Sequence, residues 1–315
     1  MGQGRAGETA GYVFPVRRGP RASLVVTATI VGATVAPGFG AAQPRPQSPQ
    51  DRPAPQPFGL FLANEGIILV GGQGAVVVFD ALFRDGVEGY QTISREGPTL
   101  EDPWHFAGGV TLAVASHHHP DHFDAPAVLA HLRTNPGTRF VSTETAVDLL
   151  RALNPTESVM SRVTASWPVE GERDLLDFGT VRLETLNLHH GRGRSPTVQN
   201  LGHLVEAGGL RLLHMGDTEV TVSEIIEQGI GADDLDVAFL PYWLLLGASG
   251  AAIVEAIGAK RIFAVHIPVA DVPSDWWGDE GSREGTIEAL ERIEGVTALS
   301  ERGVRFDLPV GRSRP

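Results

Sequence analysis

The segment Ser116-His117-His118-His119-Pro120-Asp121-His122 restricts the fold of this chain more than any other stretch. It stands between Val110 to Ala115, an apolar run that reads as a buried strand, and a helix expected over Ala125 to Arg133. Asp124 suits the N-cap of that helix, and Pro126 falls in its first turn, where a missing N–H costs little. In an extended segment side chains two apart face the same way, so His117 and His119 converge. The chain then turns, and Asp121 and His122 point into the same cavity from its other side. Imidazole and carboxylate in the absence of thiolate suit zinc or another first-row divalent ion. Three adjacent histidines alone would pass for an exposed polar loop or a loose metal-binding tract. The spaced His-x-His-x-Asp-His pattern at a strand end reads as a metal site, with His118 facing away from its neighbours.

Composition narrows the chemistry further. The 315 residues contain no cysteine, which excludes disulfides, thiolate zinc sites, iron–sulfur clusters and cysteine nucleophiles. Lys260 is the only lysine and so the single candidate for Schiff-base chemistry. A net charge of −13 and a pI near 5.3 make nucleic acid a poor partner, because a phosphate backbone demands a basic face.

The start of the chain reads as an export signal. Arg17, Arg18 and Arg21 precede an uncharged run from Ala22 to Val35, and Gly40 and Ala42 suit the −3 and −1 positions of a signal-peptidase site. The run is too short to span a bilayer comfortably, which takes about 20 residues. The Arg17-Arg18 pair leaves the general and twin-arginine routes both open. Residues 1–42 are therefore expected to be removed, and the mature protein to be periplasmic or secreted, with no stable membrane span. Their loss takes away Arg5, Arg17, Arg18, Arg21 and Glu8, a net +3, leaving −16. Residues 43–57 hold six prolines among Gln, Arg and Ser, and read as an extended, solvated linker. Residues 58–315 form the catalytic body, a single domain without internal repeats.

Within that body short β-rich runs alternate with helical ones. Gly66 to Val70 and Ala75 to Asp80 read as a hairpin across a glycine-rich turn. Strands are expected at Arg139 to Ser142, Thr180 to Leu188, Leu201 to Glu206, Leu210 to Met215, Asp236 to Leu240, Arg261 to Val265 and Val304 to Leu308. Helices are expected at Thr145 to Leu153, Gly250 to Ile257 and Glu284 to Ile293. Three of these strands end in polar groups: His189-His190-Gly191, Gly216-Asp217-Thr218 and His266-Ile267-Pro268. Loops on a rigid sheet commonly carry function. Together with the first motif they add a His, an Asp and a last His, a complement that two divalent ions bridged by a carboxylate would use.

With these motifs the chain resembles the metallo-β-lactamase fold superfamily. The ordered signature is met by His117, His119, Asp121 and His122, then His190, Asp217 and His266, and the opening hairpin ending in Asp80 is similar to the superfamily's first strands. Asn200-Leu201-Gly202 and Leu213 to Asp217 look like the branch of the L-ascorbate 6-phosphate lactonases and the N-acyl-phosphatidylethanolamine phospholipases. The resemblance implies an α+β fold, an αβ/βα four-layer sandwich of two mixed β-sheets flanked by helices, with the metals at one sheet edge. It implies a metal-dependent hydrolase of a small-molecule substrate. His117, His119 and His190 would hold one ion and Asp121, His122 and His266 the other, with Asp217 bridging. The ions are expected to be zinc, with manganese or iron as alternatives, and Asp121 to carry the proton. A metal-bridging hydroxide would attack a small ester or lactone. A phosphodiesterase or phospholipase on the same site, and a non-catalytic exported metal-binding protein, are the rival readings. The missing cysteine and the bridging Asp217 disfavour β-lactam hydrolysis.

Other residues carry weaker expectations. His189, His214 and Asp80 are alternate ligands or partners of ligands, and His203, like His214, doubles as a core histidine. Tyr242 and Trp243 offer a substrate-pocket wall or ordinary core packing. Arg192 and Arg194 suit an anionic substrate group or a solvated loop. Trp276-Trp277 reads as a lid or a core cover, and His105 and His131 as surface residues.

Overall fold

The structure, a computed structural model, describes residues 56–84, 86–93, 109–191, 197–270, 272–273, 277 and 279–309. The expected signal segment 1–42, the linker up to Pro55, Arg192, Arg194, His105 and Trp276 lie outside the described residues.

Strands β1 (Phe58–Ala63), β2 (Gly66–Val70), β3 (Val76–Phe79), β4 (Leu112–Val114), β5 (Arg139–Ser142) and β6 (Val163–Ala165) join the last strand, β14 (Arg305–Asp307), in one seven-stranded sheet of order β14-β1-β2-β3-β4-β5-β6. The second sheet has the order β13-β12-β11-β10-β9-β8-β7, built from β7 (Arg173–Asp177), β8 (Val181–His189), β9 (Gln199–Ala207), β10 (Leu210–His214), β11 (Val237–Pro241), β12 (Arg261–Val265) and β13 (Val296–Ala298). Both are mixed in the same way. From β14 to β3, and from β7 to β10, neighbours run antiparallel; from β3 to β6, and from β10 to β13, they run parallel.

Residue patterning explains the layers. Successive side chains of a strand point to opposite faces. In β3, Val77 and Phe79 enter the core between the sheets, whereas Val76 and Val78 face outward against helices. In β11, Val237 and Phe239 point inward, and Ala238 and Leu240 outward. Strands buried on both faces read as continuous apolar runs. The outer face of the first sheet is covered by α1 (Ala125–Thr134), α2 (Glu144–Arg151) and α3 (Glu157–Met160). The second is covered by α4 (Val222–Glu227), α5 (Gly250–Ile257) and α6 (Arg283–Glu291). The result is the expected four-layer α+β sandwich of two mixed sheets flanked by helices. Among the described residues no helix is long and apolar enough to cross a membrane.

One expectation fails. His131 is buried on the inner side of α1, 7% exposed, with Asn135 Nδ2 and Thr138 Oγ1 at its two ring nitrogens (3.3 and 3.4 Å). It faces inward because it stands three residues after the buried Val128 on the same face of α1. Trp277 is buried against the second sheet's helical layer, as a core cover.

Candidate metal centre

The parallel strands of both sheets deliver their polar ends to one edge of the sandwich. After β4, Ser116 starts the histidine segment; after β3 comes Asp80; after β10, Gly216-Asp217; after β12, His266; and beyond β8, His190 forms an isolated bridge with Thr218. Two of these residues pay in backbone strain. His266 (φ 63°) and Asp80 (φ 40°) occupy the left-handed region, which non-glycine residues rarely adopt away from functional sites. The His266 N–H is secured by the Asn64 carbonyl at 3.0 Å.

The junction at Gly216 accepts only glycine. Its φ is +58°, and a Cβ there would meet Asn200 Oδ1 at 2.4 Å and Ser116 Cβ at 2.5 Å. Asn200 holds this turn from both sides, since its amide donates to the Met215 carbonyl and its carbonyl accepts the Asp217 N–H.

Asp80 orders the histidines. Completely buried, it accepts the Ser116 N–H at 2.7 Å and the Ser116 hydroxyl. That hydroxyl then receives His117 Nδ1 at 2.9 Å. Asp80 Oδ2 also takes His122 Nδ1 at 2.7 Å. Protons on these two Nδ1 atoms leave both Nε2 atoms free as ligands, the way second partners commonly fix metal-binding imidazoles. Asp80 therefore supports ligands from behind.

Two donor groups result, and Asp217 belongs to both. Its Oδ1 lies 3.2 Å from His122 Nε2 and 3.1 Å from His266 Nε2. Its Oδ2 lies 3.8 Å from His117 Nε2 and 3.6 Å from His190 Nε2. His119 completes the second group, and Asp121 the first, with its Oδ2 3.5 Å from His266 Nε2 and 3.7 Å from His122 Nε2. The two ring nitrogens of the first group are 3.2 Å apart. Ligands bound tetrahedrally at about 2.0–2.1 Å stand roughly 3.3–3.4 Å from one another, so the spacing suits a divalent ion. Buried nitrogens and oxygens without a hydrogen bond (His117 Nε2, His190 Nε2, Asp217 Oδ1) point the same way. The donor set fits two ions.

Electrostatics agrees with that division. Burial, then the neighbouring imidazole of His122, holds His117 well below the usual histidine range, and burial with His190 brings His119 to about 4. Burial also opposes charge on His122 and His266, yet Asp217 and Asp121 outweigh it, raising His122 strongly and His266 to about 10. Burial would push Asp217 up, but His122 and His266 hold it well below the carboxylate range. Protons on His122 and His266 thus take the place that a cation would hold, and binding an ion would release them.

His189 points out of the centre, 46% exposed, with Glu170 Oε1 at 3.4 Å. His214 lies beneath it, buried and stacked on Phe79 with ring centroids 5.2 Å apart. His203 is also buried, opposite His214 in the β9–β10 register. Trp243 stands edge-on to His266 at 5.0 Å and donates its indole N–H to the Thr218 carbonyl, while Tyr242 is buried behind it. Tyr242 thus belongs to the core, and Trp243 is half-buried beside His266.

Three residues of the site went unread in the sequence. Tyr90 packs edge-on against His266 at 4.3 Å from a loop with no periodicity. Asn64, with φ 53°, and Glu65 come from the β1–β2 turn. Asn64 Nδ2 donates to Asp121 Oδ2 at 3.1 Å and to the Asp121 carbonyl at 3.3 Å. A polar pair in a short turn between apolar runs is the only signal, and most such pairs are solvated.

The family described as "Beta-lactamase superfamily domain" matches residues 76–267. No curated protein matches significantly. Among solved structures, the chain is similar to Igni18, a metallo hydrolase from Ignicoccus hospitalis (16% identity, TM-score 0.54, covering 81% of this chain and 100% of that one). A possible metal-dependent hydrolase from Veillonella parvula is comparable, at 19% identity and TM-score 0.54, covering 80% and 99% of the two chains. CmlA, a diiron beta-hydroxylase from Streptomyces venezuelae, shares the fold at 12% identity and TM-score 0.54, over 82% of this chain and 55% of its own. The family match spans well over half of the sequence and every clustered residue from Asp80 to His266, and the protein belongs to the beta-lactamase superfamily domain family, with the metallo-β-lactamase fold.

Proposed function

We propose that the protein is a metal-dependent hydrolase working with two divalent ions, zinc before manganese or iron, on a small ester or lactone. The observation that carries the reading is the division of Asp217, whose two oxygens face separate sets of imidazoles. His117, His119 and His190 would hold one ion, and Asp121, His122 and His266 the other. Divalent ions bound there supply Lewis acidity, which lowers the pKa of water and polarises a carbonyl oxygen.

The chain's own groups do the rest. Asp121 receives the proton that attacking water gives up, at a carboxylate which Asn64 Nδ2 holds in orientation through Oδ2. Burial works against its ionised form, but His122 and then His266 keep it below the usual carboxylate range, so that it is ionised at neutral pH. The edges of Tyr90 and Trp243 give the His266 side an apolar wall. Among the described residues, the charged groups beside His189 are Glu170 and Glu224, a poor reception for a phosphodiester. An ester or lactone without phosphate suits such a rim better.

Asp121→Asn is expected to keep the fold while reducing turnover about 10²–10⁴-fold, the range of general acid–base catalysis. A paired assay on lactones and bis-aryl phosphodiesters, run on this variant and the wild type, checks both assignments. Near-wild-type rates in the variant would remove the proton from Asp121, and faster phosphodiester turnover would replace the ester reading. Export after cleavage at Ala42 belongs to the same proposal, and N-terminal sequencing of the mature protein tests it.

A further inference from the structure

The superfamily signature accounts for Asp121 and Asp217, and Asp80 serves the histidines from behind. A fourth acid at the centre is in none of these roles. Glu65 stands in the β1–β2 turn, completely buried, and neither of its carboxylate oxygens accepts a hydrogen bond. An ionised carboxylate so placed is among the most costly groups a fold can hold unless a cation faces it.

His214 is the nearest protein candidate, with Nε2 3.5 Å from Glu65 Oε2. That ring is already committed. Its Nδ1 accepts the Gly216 N–H at 3.4 Å, so its one proton sits on Nε2, where the Glu65 backbone carbonyl lies closer at 3.2 Å. A neutral imidazole does not balance a carboxylate. On its other side, a Glu65 oxygen shares a cluster with a ring nitrogen of His122 and an oxygen of Asp217, all within 4.8 Å of one another. Those two residues also face the ion position formed with Asp121 and His266.

We infer that Glu65 is the interior counter-charge of the ion at that position, and that its carboxylate sets how tightly the His122–His266 position retains a divalent metal. The inference rests on the two-ion reading above. It makes Glu65 a positioning residue that acts on the metal from the buried β1–β2 turn.

The test uses the full chain stripped with a chelator and titrated with zinc against a competing indicator. Wild type is expected to bind two equivalents. Glu65→Gln, nearly identical in shape, should bind the first with wild-type affinity and the second at least about tenfold more weakly, as loss of an outer partner commonly does. Glu65→Asp keeps the charge but withdraws it by one methylene, and should fall between the two. If Glu65→Gln fails to fold by circular dichroism, Glu65→Asp carries the comparison alone, and an unchanged second affinity there overturns the inference.

Thermal unfolding supplies a readout that a merely structural glutamate would not produce. Glu65→Gln, nearly identical in shape, should leave the metal-free Tm close to wild type, yet lower the zinc-loaded Tm. An equal drop in both forms, or a second equivalent within twofold of wild type, overturns the assignment. Wild type that binds no zinc would overturn the metal reading itself, and this inference with it.

Discussion

At the residue scale, His117 and His122 each owe their tautomer to a hydrogen bond on the ring's far side. Asp80 supplies that bond twice, directly to His122 and through the Ser116 hydroxyl to His117, so one buried carboxylate serves both donor groups. Asp80→Asn is expected to weaken both zinc equivalents by about 10–100-fold, because the amide cannot accept from both partners as a carboxylate does. Competition against a chelating indicator measures it, and a loss confined to one equivalent would contradict the shared role. Gly216→Ala joins a strained φ to a collision with Asn200 and Ser116. A loss of about 2–4 kcal/mol in urea unfolding is expected, with metal content reduced because Asp217 follows directly. None of these bonds could be read from spacing, since residues 80 and 116 meet only because β3 and β4 pair in parallel.

At the scale of elements, most apolar runs were legible, though β1 went unread, and the short edges were not. The helix Gly250–Ile257 and the strands Arg139–Ser142 and Arg261–Val265 form where the pattern put them, and most other boundaries shift by one or two residues. β6 and β13 have three residues each, below the length at which periodicity can be distinguished from chance. β7 escaped for another reason: it is an edge strand whose sequence, Arg-Asp-Leu-Leu-Asp, is mostly charged, as edges exposed to other chains tend to be. α4 has only six residues and is defined chiefly by its ends. Thr221 Oγ1 accepts the Glu224 N–H while the Glu224 side chain accepts the Thr221 N–H, a complete capping box. Thr221→Ala should cost about 1 kcal/mol of stability, measured by chemical denaturation. Activity should change little, because the box lies outside both donor groups.

At the scale of the molecule, two sheets share one dry core, and its aromatic centre is Phe239, packed on Phe263 at 5.4 Å and against Phe79 and Phe306. Phe239→Ala should cost about 3–5 kcal/mol. Acid should act on the whole fold through buried histidines. Burial, with Arg162 adding to it, lowers His131 from 6.5 to about 4. Between those values the unfolded chain takes a proton that the folded protein refuses, so the stability His131 contributes is complete above pH 6.5 and lost as pH falls toward 4. The span corresponds to at most about 3 kcal/mol. His131→Gln should flatten the pH dependence of unfolding in that window by up to one proton, and an unchanged slope would mean that the histidine is not held neutral.

The signature positions His117, His119, Asp121, His122, His190, Asp217 and His266 were visible in the amino-acid order alone, as were the alternation of β-rich and helical runs and the absence of thiolates. They are visible because periodicity and strand ends are local properties. What only the tertiary structure decided is which groups face which. His190 enters the cluster and His189 leaves it, since successive residues of a strand end point to opposite sides. Asn64 and Glu65 reach the centre from a turn more than fifty residues before Asp121, and Tyr90 from a loop. Their places depend on strand pairing and sheet packing, which join residues far apart in the chain and leave no mark in the local pattern.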